Sequence, residues 1–479
     1  MIPFYGRKDE LRILKDLLSK KTASLVVVKG RRRIGKSRLI AEFGKSVKQS
    51  KFYTFSGLAP SKGISAQMQR EDFAKQMQRQ LGIPGLDKLN DWGDLFWHLA
   101  NQAKKGRVLI LLDEINWMGS KDPTFLPKLK TAWDLYFKEN CKLILILSGS
   151  MSTWIEKNII SSSGFLGRIS IDMTLRELLL SECNLFWHTN ERNISSYEKF
   201  KILSVTGGVP RYLEEVHPAW TAEKNIKQLC FQREAILFKE FEKIFNDLFS
   251  VRGDAYKIIL KLLASKKADL TEICQALQVK RGGTVTKYLE NLVTNEYVSQ
   301  DSTWNLETGK ESKLVQYRLK DNYLRFYLKY IEPVKGLIER GNLSTLPGWD
   351  SVMGLQFENL VLSNRQELFK NLGIASSEII NENPFFQRKT SSCLGCQIDY
   401  MIQTKFNTLF LCEIKFSKEP IKQNVIKEVE NKIFRLKRNR RFSIRPVLIH
   451  VNGVGNAIEE SGFFSSIIDF GEFLDPKNG

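Results

Sequence analysis

The amino-acid sequence predicts an α/β protein of several domains, and three observations carry that prediction. Apolar runs of strand length alternate with stretches of helical period, the pattern of a parallel sheet covered by helices. Two of those runs end in chemically loaded residues: Gly30-Arg-Arg-Arg-Ile-Gly35-Lys36-Ser37 after the first, Asp113-Glu114 after another. The chain, at 479 residues, is also too long for one hydrophobic core.

Residues 1–20 read as a lead-in and an amphipathic helix with Leu11, Leu14, Leu17 and Leu18 on one face. The β-branched run before Gly30 is a buried strand, and G-x-x-x-x-G-K-[ST] follows it directly, with a helical pattern beyond. Glycines let such a loop turn tightly, so that several N–H groups point at one anion, and the helix adds its positive end. Lys36 would reach the terminal phosphates of a nucleoside triphosphate, and the Ser37 hydroxyl would hold a magnesium ion. The candidate nucleotide-binding set is Gly30, Arg31, Arg32, Arg33, Ile34, Gly35, Lys36, Ser37 and Arg38.

Residues 52–55 suit a second strand, and 62–82 and 91–104 are helical in period, parted by Gly82-Ile-Pro-Gly85. Residues 107–112 are a central strand delivering Asp113 and Glu114 to the sheet edge. Asp113 would contact the magnesium directly or through a water, and Glu114 would act as general base toward the attacking water. Residues 142–147 form a third buried strand ending in Ser148-Gly-Ser150; either serine could touch the γ-phosphate or the water. Gly164-Phe-Leu-Gly167-Arg168 then places an arginine after a flexible loop.

Phe4-Tyr-Gly-Arg7-Lys-Asp-Glu-Leu11 resembles the opening of STAND and AAA+-related ATPases. Together with GRRRIGKS, LILLDE, LSGS, LGR and GGVPRY, the first 220 residues resemble the archaeal-type ATPase family of archaea and bacteria. The resemblance implies ATP with Mg²⁺ as the ligand. It also implies a helical lid over the nucleotide carrying Gly207, Gly208 and Pro210, and Arg168 as a charge sensor or arginine finger. The absence of a guanine-reading Asn/Thr-Lys-x-Asp motif agrees with adenine.

From 250 to 330 three helices and two extended stretches read as a winged helix-turn-helix, which the same resemblance implies there. Lys280, Arg281 and Lys287 could face DNA phosphates, or the unit could serve protein contacts. After Pro347-Gly348, Glu358 lies on an amphipathic helix, and 397–402 and 409–415 read as paired strands. Asp399, Glu413 and Lys415 fit D-x(13)-E-x-K, the core of the PD-(D/E)xK nuclease-like fold, with Glu358 as its helical acid and Ile398 where many members carry proline. Glu358, Asp399 and Glu413 would hold Mg²⁺ or Mn²⁺ beside a scissile phosphate, and Lys415 would orient the water or offset charge. Beyond them, seven basic and no acidic residues lie between Asn431 and Arg445.

The predicted domains are residues 1–225, 226–345 and 346–479. No apolar run reaches membrane-span length, charge enters within the first ten residues, and the seven cysteines are scattered; a cytoplasmic protein is expected. A net charge of +20 favours nucleic acid, DNA first, as partner. A homo-oligomer or a protein partner is compatible with the sequence. The function expected is an ATP-hydrolysing switch coupled to a metal-dependent nuclease-like domain; the alternative is a regulatory ATPase that binds DNA or protein without cleavage.

Overall fold

A computed structural model describes residues 3–59, 63–86, 90–150, 152–187, 193–249, 253–343, 348–391 and 393–474. The chain divides into two compact units, Met1–Arg176 and Glu177–Gly479.

The first unit is built on five parallel strands in the order β2-β3-β4-β1-β5. They are β1 (Ser24–Lys29), β2 (Ser50–Ser56), β3 (Arg107–Asp113), β4 (Leu143–Gly149) and β5 (Ile169–Thr174). Strands β1, β3 and β4 are buried on both faces, which is why they read as unbroken apolar runs. Leu25 and Val27 face a layer containing Phe73, Trp92, Phe96 and Phe125. Val26 and Val28 face the opposite layer, where the helix Lys36–Ser46 contributes Leu39, Ile40 and Phe43. Each buried aliphatic side chain contributes about 1.5–3 kcal/mol. The packing therefore holds the C-terminal ends of β1 and β3, and the loops they feed, in fixed positions.

In the second unit, the helices Gly253–Ser265, Leu270–Ala276 and Gly283–Thr294 precede an antiparallel hairpin. Its strands are β6 (Val298–Trp304) and β7 (Glu311–Leu319). Asp269 caps the second helix reciprocally with Glu272. The stretch after Asp321 is a packing helix, with Tyr323, Leu324 and Phe326 buried. A mixed sheet follows in the order β12-β11-β10-β9-β8: β8 (Ile379–Gln387), β9 (Cys396–Thr404), β10 (Thr408–Phe416), β11 (Ser443–Val451) and β12 (Ser466–Asp469). The β8–β9 and β9–β10 pairs are antiparallel, and the pairs from β10 to β12 are parallel.

The first predicted boundary, at 225, differs from the division found. Residues 177–225 join the second unit because Phe200 on the helix Ser196–Thr206 packs 5.3 Å from Phe357 and 5.8 Å from Phe470. Gly207, Gly208 and Pro210 go with them; Pro210 opens the short helix Pro210–Leu213, and the Gly208 N–H donates to the Glu177 carboxylate while its carbonyl accepts from the Leu178 N–H.

Candidate functional site

The phosphate loop lies between β1 and the helix Lys36–Ser46, at the C-terminal edge of the sheet. Its glycines are required by geometry. Gly30 has φ 151°, and a Cβ there would meet the Leu175 carbonyl at 2.6 Å. Gly35 turns into the helix with φ 93°. Arg7, from the Phe-Tyr-Gly-Arg opening, is buried and braces the loop from behind. Its guanidinium donates to the Ile34 carbonyl at 3.1 Å and to the Arg176 carbonyl at 2.6 Å. Its side chain is a supporting residue to which the sequence motif alone assigned no role.

Lys36 is buried and donates to the carbonyls of Gly30, at 2.9 Å, and Arg31, at 3.2 Å. Burial lowers its pKa, while the nearby carboxylates of Glu114 and Asp113 pull the other way. An ammonium held by its own loop, in a place where charge is costly, is poised for a polyanion. The Ser37 hydroxyl donates to Asp113 Oδ2 at 2.6 Å. A hydroxyl and a carboxylate converging at a phosphate loop are the oxygen donors that Mg²⁺ takes alongside phosphates, so the residues fit that ion.

Glu114 follows β3 in a left-handed backbone conformation, φ 48°, unusual for a residue with a side chain. Its Oε2 accepts from the Ser150 backbone N–H at 3.1 Å and from the Ser150 hydroxyl at 2.8 Å. Of the two candidate serines, then, Ser150 engages the acid. The Ser148 hydroxyl is fully buried and has no hydrogen-bond partner among the described residues. Arg38 turns to the lead-in segment, donating to the Pro3 carbonyl at 2.7 Å.

Arg168 lies elsewhere. It precedes Ile169, which pairs with Leu25 at the start of β1, whereas the loop follows Lys29 at the strand's end. A strand of this length separates the two by about 20 Å. Arg168 instead makes a two-pronged pair with Asp134, both contacts at 2.9 Å. That pair, with Lys130 beside it, holds the Asp134 carboxyl well below the usual carboxylate range. A charge sensor for the phosphates of the same chain is therefore excluded by position.

In the second unit the pairing of β9 with β10 brings Asp399 beside Glu413, and the Ile414 N–H donates to Asp399 Oδ2 at 3.0 Å. Lys415 Nζ lies 3.0 Å from Glu413 Oε1 and 2.7 Å from Glu428 Oε2. Glu358 does not join them: its carboxylate pairs with Lys267 at 2.7 Å. The expected three-acid set is corrected to two, and no cluster of three or more metal-ligating side chains occurs among the described residues. Sequence reasoning missed Lys432, on the helix Asn424–Arg435, whose Nζ reaches Glu413 Oε2 at 2.6 Å and Asp399 Oδ1 at 3.4 Å. Burial and the neighbouring Asp399 raise the pKa of Glu413. Burial works against the Lys432 charge, but Asp399 and Glu413 outweigh it and raise its pKa. Lysine stands where a divalent cation would, so these residues as arranged do not fit one.

Residues 4–216 match a family described as ATPase domain predominantly from Archaea. An uncharacterized protein of Methanocaldococcus jannaschii is 26% identical over 347 residues, spanning 71% of each chain. Among solved structures, a Walker-type ATPase of Pyrococcus abyssi aligns with 68% of this chain and 96% of its own, at 16% identity and a TM-score of 0.52. The ORC2 protein of Aeropyrum pernix covers 72% of this chain and 97% of its own, at 16% identity and a TM-score of 0.46. The N-terminal part is thus similar to ATPase domains of the archaeal type.

Proposed function

We propose that the protein is an ATP-hydrolysing switch whose second unit engages nucleic acid, DNA by preference, without cleaving it in the arrangement described. The observation that carries the reading is the convergence of Lys36, Ser37, Asp113 and Glu114 at one sheet edge. The triphosphate enters the ring of loop N–H groups, and Lys36 exchanges its carbonyl partners for phosphate oxygens. Ser37 and Asp113 would hold Mg²⁺, which would supply charge neutralisation at the phosphates. Glu114, aligned by Ser150, accepts a proton from the water as the water oxygen bonds to the γ-phosphorus and the β,γ-bridging oxygen leaves with ADP.

The nucleic-acid part of the reading is supported by the exposed Lys280, Arg281 and Lys287 around the start of the helix Gly283–Thr294. A winged helix is our reading of this helix-and-hairpin order. Cleavage is the second reading, favoured by the placement of Asp399, Glu413 and Lys415 on adjacent strands. Phosphate release from ATP by the full chain in Mg²⁺, with and without duplex DNA, tests the first. Absence of turnover under both conditions overturns the switch.

A further inference from the structure

The C-terminal centre carries its own positive charge, and the bonds are fully allocated. Both oxygens of Glu413 are taken by ammonium groups, Lys415 on Oε1 and Lys432 on Oε2. Both oxygens of Asp399 are taken as well, by the Ile414 N–H and by Lys432. Glu413 is 2% exposed, so its charge has little water to face and needs a counter-charge from the protein. Lys432 comes from a helix anchored on the sheet by Val425, Val429 and Leu436, all in one apolar cluster with Ile398 and Leu411. Its position is therefore set by core packing.

A hard divalent cation seeks six or more oxygens, several of them charged. Here the third acid is engaged by Lys267, and two lysines compete for the two carboxylates that remain. We propose that Lys432 is a resident counter-ion: its ammonium fills the cation position between Asp399 and Glu413 and keeps the centre free of divalent metal. The centre then serves as a charge-balanced structural joint of β9, β10 and the helix Asn424–Arg435, and metal-dependent cleavage requires Lys432 to leave.

The test is calorimetric titration of Mn²⁺ into the nucleotide-free full chain. Wild type and Asp399→Asn are expected to give the same isotherm, since the wild-type centre takes no metal. Lys432→Met removes a positive charge within about 4 Å of the cation position, so Mn²⁺ should bind at least about tenfold more tightly. That gain should vanish in Lys432→Met with Asp399→Asn. Mn²⁺ binding by wild type that is lost in Asp399→Asn overturns the proposal without any change at Lys432. So does a folded Lys432→Met that binds no more tightly than wild type. Where circular dichroism shows Lys432→Met unfolded, Lys432→Gln, which keeps a hydrogen-bonding head without the charge, replaces it under the same criterion. ATP turnover enters none of these arms, so failure here is distinct from failure of the switch.

Discussion

Lys36 and Glu114 have separable consequences at the proposed nucleotide edge, and Arg168, which lies away from it, has another. Among the described residues, the Lys36 ammonium donates to its own loop, at the Gly30 and Arg31 carbonyls. Lys36→Ala is expected to weaken ATP binding by roughly 10²-fold or more, as loss of a charge-assisted phosphate contact does, while the melting temperature stays close to wild type. Calorimetric titration with ATP checks it, and unchanged affinity would remove Lys36 from the phosphate site. Glu114→Gln keeps an acceptor for Ser150 but cannot take a proton. ATP should remain bound while turnover falls by roughly 10²–10⁴. Arg168 predicts something different, because its partner is Asp134. With a folded pKa held below the unfolded value of about 3.9, Asp134 contributes stability that is present above that value and lost as pH falls through the folded one. In Arg168→Met the melting temperature should therefore depend less on pH between about 4 and 2 than in wild type. ATP affinity should be unaltered; a loss would contradict the separation of Arg168 from the loop.

At the level of elements, what the sequence made legible was what local physics decides. Strands β1, β3 and β4 are buried on both faces and stand out as apolar runs. Strand β5, ISIDMT, lies at the sheet's edge and is mostly half-buried, so it carries no such signal. The extent of the first unit was illegible for another reason. Phe200 finds its partners, Phe357 and Phe470, far along the chain, and nothing in the helix's own periodicity names them. Lys432 was hidden inside a basic run, 33 residues from Asp399, and only the packing of its helix distinguishes it from solvated neighbours. The hairpin shows the same dependence on context. Trp304 of β6 packs on Phe385 at 5.2 Å, and Asn383 of β8 donates to the Ser302 carbonyl at 3.0 Å, so this strand is engaged with the mixed sheet. The exposed start of the helix Gly283–Thr294 is then the surface on which the proposed nucleic-acid contact is tested. Replacing Lys280, Arg281 and Lys287 together by Ala should lower the slope of log affinity against log salt by about 2–3, each lost phosphate contact contributing about 0.9. Fluorescence anisotropy with labelled duplex DNA between 50 and 200 mM salt, roughly the range over which such contacts are screened, measures it. An unchanged slope would move the interface elsewhere.

For the whole molecule, a switch has meaning only if ATP in one unit alters what the other does. Charge alone cannot supply this, because a net +20 attracts a polyanion whatever nucleotide is bound. Coupling is instead a free energy shared by two sites, and it must be reciprocal. If bound ATP tightens DNA binding by some factor, bound DNA must tighten ATP binding by the same factor, typically about 5–150-fold. Glu114→Gln is the form in which to measure it, since ATP persists there long enough for both equilibria to be read. We expect labelled duplex to bind that variant more tightly with ATP than with ADP, and ATP titrated into the variant to bind more tightly with duplex than without. Equal factors in the two experiments establish the switch. Affinities that do not respond to the other ligand in either direction would mean that the two units act independently, and the coupled reading of this chain would fall.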